Sequence, residues 1–353
     1  MQRPRAAWRT SAVAFAGWVG LGLVVSGTGP ADAAESPENA AGRAPTLNGF
    51  VLSPIAIPVE EVLPGGPPRD GIPALDDPKA IAASEAQWSE DELVIGVALE
   101  GAARAYPIPL LEWHELVNDT LGGRPILVSY CPLCGTGIVF DRQLDGKPQT
   151  FGVSGLLYRS DLLLYDRTTN SLWSQIPALA VAGPRTGTRL SILRSEMTRW
   201  GDWRRRHPDT TTLSADTGHR RPYGKSPYGD YAQSEKLHFP APVDGRYHPK
   251  MPTLGIRVPG GAARAYPAVE VVRAGGTIRE VFEGRRVSVS YDPDNQVFRG
   301  DAPEDLEIVE GYWFAWAAFH PKTTVFTDAS DKTAPKETDP VRHPRTPEEE
   351  RSP

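Results

Sequence analysis

The sequence predicts a β-rich α+β fold, with internally duplicated strand-helix-strand units packed in one compact domain, and three observations predict it. The 353 residues include 35 prolines and 34 glycines, a frequency that breaks long helices and favours short strands joined by turns. The apolar runs are short and bounded by Gly, Pro, Asn or Asp. The heptapeptide Gly101-Ala-Ala-Arg-Ala-Tyr-Pro107 recurs as Gly261-Ala-Ala-Arg-Ala-Tyr-Pro267, the mark of a repeated structural unit.

At the N-terminus Arg3, Arg5 and Arg9 precede an apolar run from Ser11 to Val25, and Ala31-Asp32-Ala33 fits a small-x-small cleavage site. Residues 1–33 read as a signal peptide, with the mature chain starting at Ala34. No second run of spanning length follows. A secreted, extracytoplasmic product is expected, soluble and with no stable membrane insertion after cleavage. Residues 34–68 read as a disordered or extended segment and 329–353, Pro-rich and charged, as a disordered tail. Between them lies one domain, 69–328, with repeat units at about 93–142 and 252–300. The net charge of -6 with interspersed signs excludes a nucleic-acid surface as the expectation.

Strands are expected at Leu93–Leu99, Pro125–Tyr130, Gly137–Phe140, Thr150–Val153, Leu162–Asp166 and Ser171–Gln175, with Thr168-Thr169-Asn170 as a hairpin turn. One helix is expected from Ile108 to Asn118, opened by Pro107 and Pro109, with Leu110, Trp113, His114 and Val117 on its apolar face. The aromatic segment Tyr312–Pro321 reads as a buried helix stopped by Pro321, with His320 favoured as a cation at its end.

Chain-wide there are two cysteines, Cys131 and Cys134, too close together for a disulfide that stabilises much. Tyr130-Cys-Pro-Leu-Cys-Gly135 lies between two strand candidates, and the residues after Cys134 are poor helix starters. This departs from the helix-opening Cys-x-x-Cys of thioredoxin-like exchange. Strand, Cys-Pro-x-Cys-Gly, strand is the pattern of a metal-thiolate knuckle, and two thiolates are half of a tetrahedral site. His114 is the first candidate for a third ligand and His320 the second. Soft sulfur with imidazole suits copper first and zinc second. A short disulfide, a reduced apolar pair and a metal-free redox pair remain open.

The repeat supplies an internal comparison. Cys131 aligns with Asp292, Cys134 with Asn295 or a gap, and His114-Glu115 with Ala274-Gly275. Glu115 and Asn118 could orient His114 or cap its helix, and Asp119 is assigned to the turn. Arg159 with Asp161, or Asp166 with Arg167, reads as a structural ion pair beside the cysteine loop. Gly135 after Cys134 disfavours covalent haem. No Walker, Rossmann, His-Glu-x-x-His or EF-hand pattern is present, nor a serine elbow, so neither a nucleotide nor a flavin is expected.

With these residues in view the chain resembles the DUF3179 family of exported bacterial and archaeal proteins. The resemblance rests on Trp113-His-Glu-Leu-Val-Asn-Asp119, Tyr130-Cys-Pro-Leu-Cys-Gly-Thr136, Phe140-Asp-Arg142, Phe151-Gly-Val-Ser-Gly-Leu-Leu157, Tyr165-Asp-Arg167, Leu172-Trp-Ser-Gln175 and Pro208-Asp-Thr210. It implies a common fold and a recurrent His-Glu and Cys-Pro-x-Cys pairing, here His114, Glu115, Cys131 and Cys134, and brings no reaction with it. Three functions follow as expectations. The first is thiophilic-metal binding for metal handling or a redox step. The second is thiol-disulfide exchange through Cys131 and Cys134, and the third a non-catalytic module with Trp113, Tyr158 and Trp173 lining a ligand groove.

Overall fold

Each copy of the heptapeptide forms the second strand of an antiparallel hairpin, Leu93–Leu99 with Ala102–Pro107 and Pro252–Arg257 with Ala263–Pro267. Residues two apart on a strand share a face, so Arg104 and Tyr106 point together and hold Asp119 at 2.5 and 2.7 Å. Arg264 and Tyr266 hold Glu280 in the same way, at 2.5 and 2.7 Å. The repeated residues are a carboxylate clasp to a strand of another sheet. Asp119 accordingly lies within a strand, Leu116–Leu121, and not in the expected turn.

This computed structural model describes residues 44–327; the expected signal peptide and C-terminal tail lie outside them. The α-helices are short: α1 Ile108–His114, α2 Trp200–Arg206, α3 Ala268–Arg273 and α4 Trp313–Phe319. The first is shorter than expected because Glu115 leaves it at φ +57° and the chain continues as a strand. A seven-residue helix is about 10 Å long, too short to carry the chain back to a parallel neighbour. The strands flanking α1 therefore belong to different sheets. That corrects the expected strand-helix-strand unit: the building blocks are the sheets.

Five sheets of three to five strands give residues 44–327 a β-rich, five-bladed, propeller-like arrangement. One runs Ile192–Leu193, Thr136–Asp141, Arg124–Cys131, Leu116–Leu121, Leu75–Asp76; another runs Leu179–Ala182, Leu172–Ser174, Asp161–Asp166, Phe151–Tyr158, Val62–Pro64. The two hairpins of the heptapeptide centre two more, and Thr277–Phe282, Arg285–Asp292 and Val297–Asp301 make the last. Of the segment expected to be disordered or extended, residues 44–68 are ordered. Phe50, Leu52 and Val62 are buried there, and Val62–Pro64 pairs with Phe151–Tyr158.

Tryptophans from α2 and α4 close the hairpin sheets. A Cβ on Gly96 would meet the Trp203 ring at 2.3 Å, and one on Gly255 the Trp316 ring at 2.2 Å. Each indole donates to a threonine, Thr210 or Thr323, and carries a histidine ring, His207 or His320, at 3.9 or 4.0 Å. Among the described residues no helix is long and apolar enough to cross a membrane.

Candidate functional site

Cys131 ends one strand and Thr136, paired with it across the hairpin, begins the next. Pro132 and Leu133 fill the turn; Cys134 N–H donates to the Cys131 carbonyl at 3.1 Å, and Gly135 takes φ +60°. Only glycine fits there, because a Cβ would lie 2.9 Å from the Tyr312 ring. The loop is held from outside by Tyr312 N–H on the Cys134 carbonyl and by the Tyr231 hydroxyl on the Leu133 carbonyl. Both sulfurs are buried, Cys131 at 1% and Cys134 at 0% exposure, and both thiols are free.

Facing them is the tip of a second hairpin. Tyr158 pairs with Asp161, leaving Arg159 and Ser160 as a two-residue turn with φ of +53° and +65°. Such turns favour glycine or asparagine, so this one holds two strained residues. It is pinned by Arg159, which donates to Glu61 at 2.9 Å and to the Ala318 carbonyl at 2.8 Å, and by Ser160, whose hydroxyl donates to the Phe239 carbonyl at 2.6 Å. The turn presents the Ser160 carbonyl to both thiols, at 3.8 Å for Cys131 and 3.4 Å for Cys134.

Asp161 completes the group: one of its carboxylate oxygens and both sulfurs lie within 4.8 Å of one another. Its Oδ2 accepts from Ser174 Oγ and Ile176 N–H, while Oδ1 is buried with no hydrogen-bond partner. Burial pushes the Asp161 carboxyl up to about 7, against the pull of those hydrogen bonds. Burial also pushes the Cys134 thiol well up, reinforced by Cys131. Two thiols, a carboxylate with an unsatisfied oxygen and a carbonyl are donors that a soft or borderline cation would satisfy.

The remaining candidates lie elsewhere. Both His114 ring nitrogens are engaged, Nδ1 at 2.7 Å from the Pro73 carbonyl and Nε2 at 2.7 Å from the Tyr223 hydroxyl. Burial, then His219 and Arg221, hold its pKa down to about 4 despite the Pro73 carbonyl. His114 is thus a neutral strut with its proton on Nδ1, a tautomer assigned from these partners. His320 packs at a tilt against Trp316 beside Arg257 and is held near 3, by burial and then by that guanidinium, so it is no helix-end cation. Neither histidine belongs to the sulfur-carboxylate group. Asn118 ties Asp76 to the Phe151 backbone. The expected ion pairs do not form: Arg159 meets Glu61 and Arg167 meets Asp76, while Asp166 accepts from Thr169 and Trp173. Of the expected aromatic groove, Trp173 is fully buried and Tyr158 packs edge-on against Phe319.

Trp113 does line a cavity, of about 750 Å³, that reaches Leu133 of the cysteine loop. Glu112 and Glu115 also line it; of its walls the sequence pattern marked Trp113 alone for a groove, since they come from four separate stretches of chain. A family model described as protein of unknown function (DUF3179) matches residues 69–304. The chain belongs to the DUF3179 family. The match takes in both cysteines, Asp161 and His114-Glu115, whereas the Tyr312 and Ala318 backbone groups that brace this DUF3179 site lie beyond it. No curated protein and no solved structure matches the chain.

Proposed function

We propose that Cys131, Cys134 and Asp161 hold one d¹⁰ metal ion, copper(I) or zinc(II), and that the protein handles this metal, or uses it in a redox step, outside the cytoplasm. The observation that carries the reading is the buried Asp161 carboxylate, one oxygen of which has no hydrogen-bond partner, grouped with two buried sulfurs. A buried carboxylate oxygen left unsatisfied is costly, and a cation bridging it to the thiolates removes that cost. Thiolates alone would favour copper; a hard carboxylate in the set shifts the balance towards zinc. In the copper case the ion supplies one-electron chemistry, and in the zinc case a fixed Lewis acid or a structural tie. Residues 93–142 and 252–300 are, in this reading, two copies of one ancestral unit. The second closes the matching turn with Asp292, which accepts from Asp294 N–H and from the Asn295 amide. Full burial of both thiols works against disulfide exchange with a protein partner, because exchange needs an exposed sulfur.

Elemental analysis of purified protein, wild type against Cys131→Ser and Asp161→Asn, tests the proposal. About one equivalent of copper or zinc is expected in wild type and a loss of most of it in both variants. Equal trace metal in all three would overturn it.

A further inference from the structure

The cavity beside the cysteine loop has an apolar body and a charged end. Val153, Leu157, Leu162 and Trp113 form much of its wall, and a volume of about 750 Å³ is that of a small-molecule site. Glu112 and Glu115, three residues apart at the end of α1, both face it. Neither has a cationic partner among the described residues. Glu115 is 7% exposed, and only its Oε1 is hydrogen-bonded, to the Tyr228 hydroxyl at 3.0 Å. Glu112 Oε1 accepts from Ser226 at 3.0 Å. The other chargeable groups on the lining are His238 and Arg221, the latter exposed and lying over the Trp113 ring at 5.8 Å.

A buried carboxyl without a counter-ion is unfavourable unless something arrives to pair it. The environment agrees: burial pushes Glu115 up to about 7 and Glu112 up to about 6. Glu115 is also held at φ +57°, a strained conformation for a side chain that otherwise only caps a helix. Arg221 favours an anion, but its exposed charge is screened by water, whereas Glu115 acts across a low-dielectric wall.

We propose that this cavity binds an amphipathic organic amine, its apolar body among Val153, Leu157, Leu162 and Trp113 and its ammonium between Glu112 and Glu115. The site is independent of the metal reading, since none of the three proposed ligands lines the cavity.

Calorimetric titration at pH 8 with 4-phenylbutylamine, 4-phenylbutanol and 4-phenylbutyrate compares three head groups on one body. The amine is expected to bind about tenfold or more tighter than the alcohol, and the acid weakest. Glu115→Gln should bring the amine down to the alcohol's affinity while leaving the alcohol within about twofold. Glu112→Gln, at a half-buried position, should lose part of the preference and serves if Glu115→Gln fails to fold. Cys131→Ser should keep the preference even if it loses metal. Equal affinity for amine and alcohol, tighter binding of the acid, binding of none of the three, or an unchanged preference in the Glu112 and Glu115 variants would overturn the proposal.

Discussion

Glu115 shows how one buried group reports on its surroundings. Its carboxyl ordinarily titrates at 4.5 and is pushed by burial to about 7 in the fold. Between those values the folded chain keeps a proton that the unfolded chain releases. The stabilisation is therefore complete below about 4.5 and lost as pH rises through about 7, an effect on the order of 3 kcal/mol. Urea unfolding of wild type and Glu115→Gln at pH 5 and pH 8 checks this. The variant is expected to lose much less stability between the two pH values, while Glu112 keeps a residual slope of the same sign. An unchanged slope in Glu115→Gln would place that carboxyl in water. The neighbouring His114, fixed between Pro73 and Tyr223, adds no charge in this range.

At the scale of elements, each of the two heptapeptide sheets has a tryptophan ring set directly against a glycine of its hairpin. Gly96→Ala would drive a methyl group into the Trp203 ring, and the strand backbone there is paired on both sides and has little room to shift. A loss of about 1–3 kcal/mol is expected by chemical denaturation. Gly224→Ala, with nothing within 4 Å of the added carbon, should stay within about 0.5 kcal/mol of wild type. A comparable loss in both would mean that contact with the indole does not set the cost, since Gly→Ala by itself restricts the unfolded chain and favours folding. The clasps complete the same picture: Arg104 and Asp119 at 16% and 6% exposure lock one sheet to the next.

For the whole molecule, a ligand that binds only the folded chain raises its melting temperature by mass action. Stoichiometric copper(I) or zinc(II) is expected to raise Tm of wild type and leave Asp161→Asn unmoved in a thermal scan. An equal rise in both would put the binding site elsewhere. Much of this architecture was legible in sequence because alternation and turn chemistry are local: Leu93–Leu99 and the turn after Asp166 follow from their own residues. The cysteine hairpin was legible for the same reason. Asp161 as partner of the sulfurs was not, because its place depends on a turn secured by Glu61, Phe239 and Ala318. The surroundings of His114 were not legible either, since Pro73 and Tyr223, which engage its nitrogens, lie far from it in the chain. The cavity was hidden because its lining gathers residues 65–72, 112–115, 133–162 and 221–239.

The Arg159 guanidinium spans an interval of 159 residues to reach the Ala318 carbonyl. Contacts so distant in sequence form late, because the chain must first close a very large loop. The turn that seats Ser160 and Asp161 against the sulfurs therefore acquires its last support only when almost the whole described chain is available. The grouping of Asp161 with the two sulfurs thus depends on a contact that closes late in the order of chain closure. Refolding followed by thiol labelling should show Cys131 and Cys134 becoming inaccessible in the final phase. Protection that precedes docking of the Trp313–Phe319 helix would contradict this order.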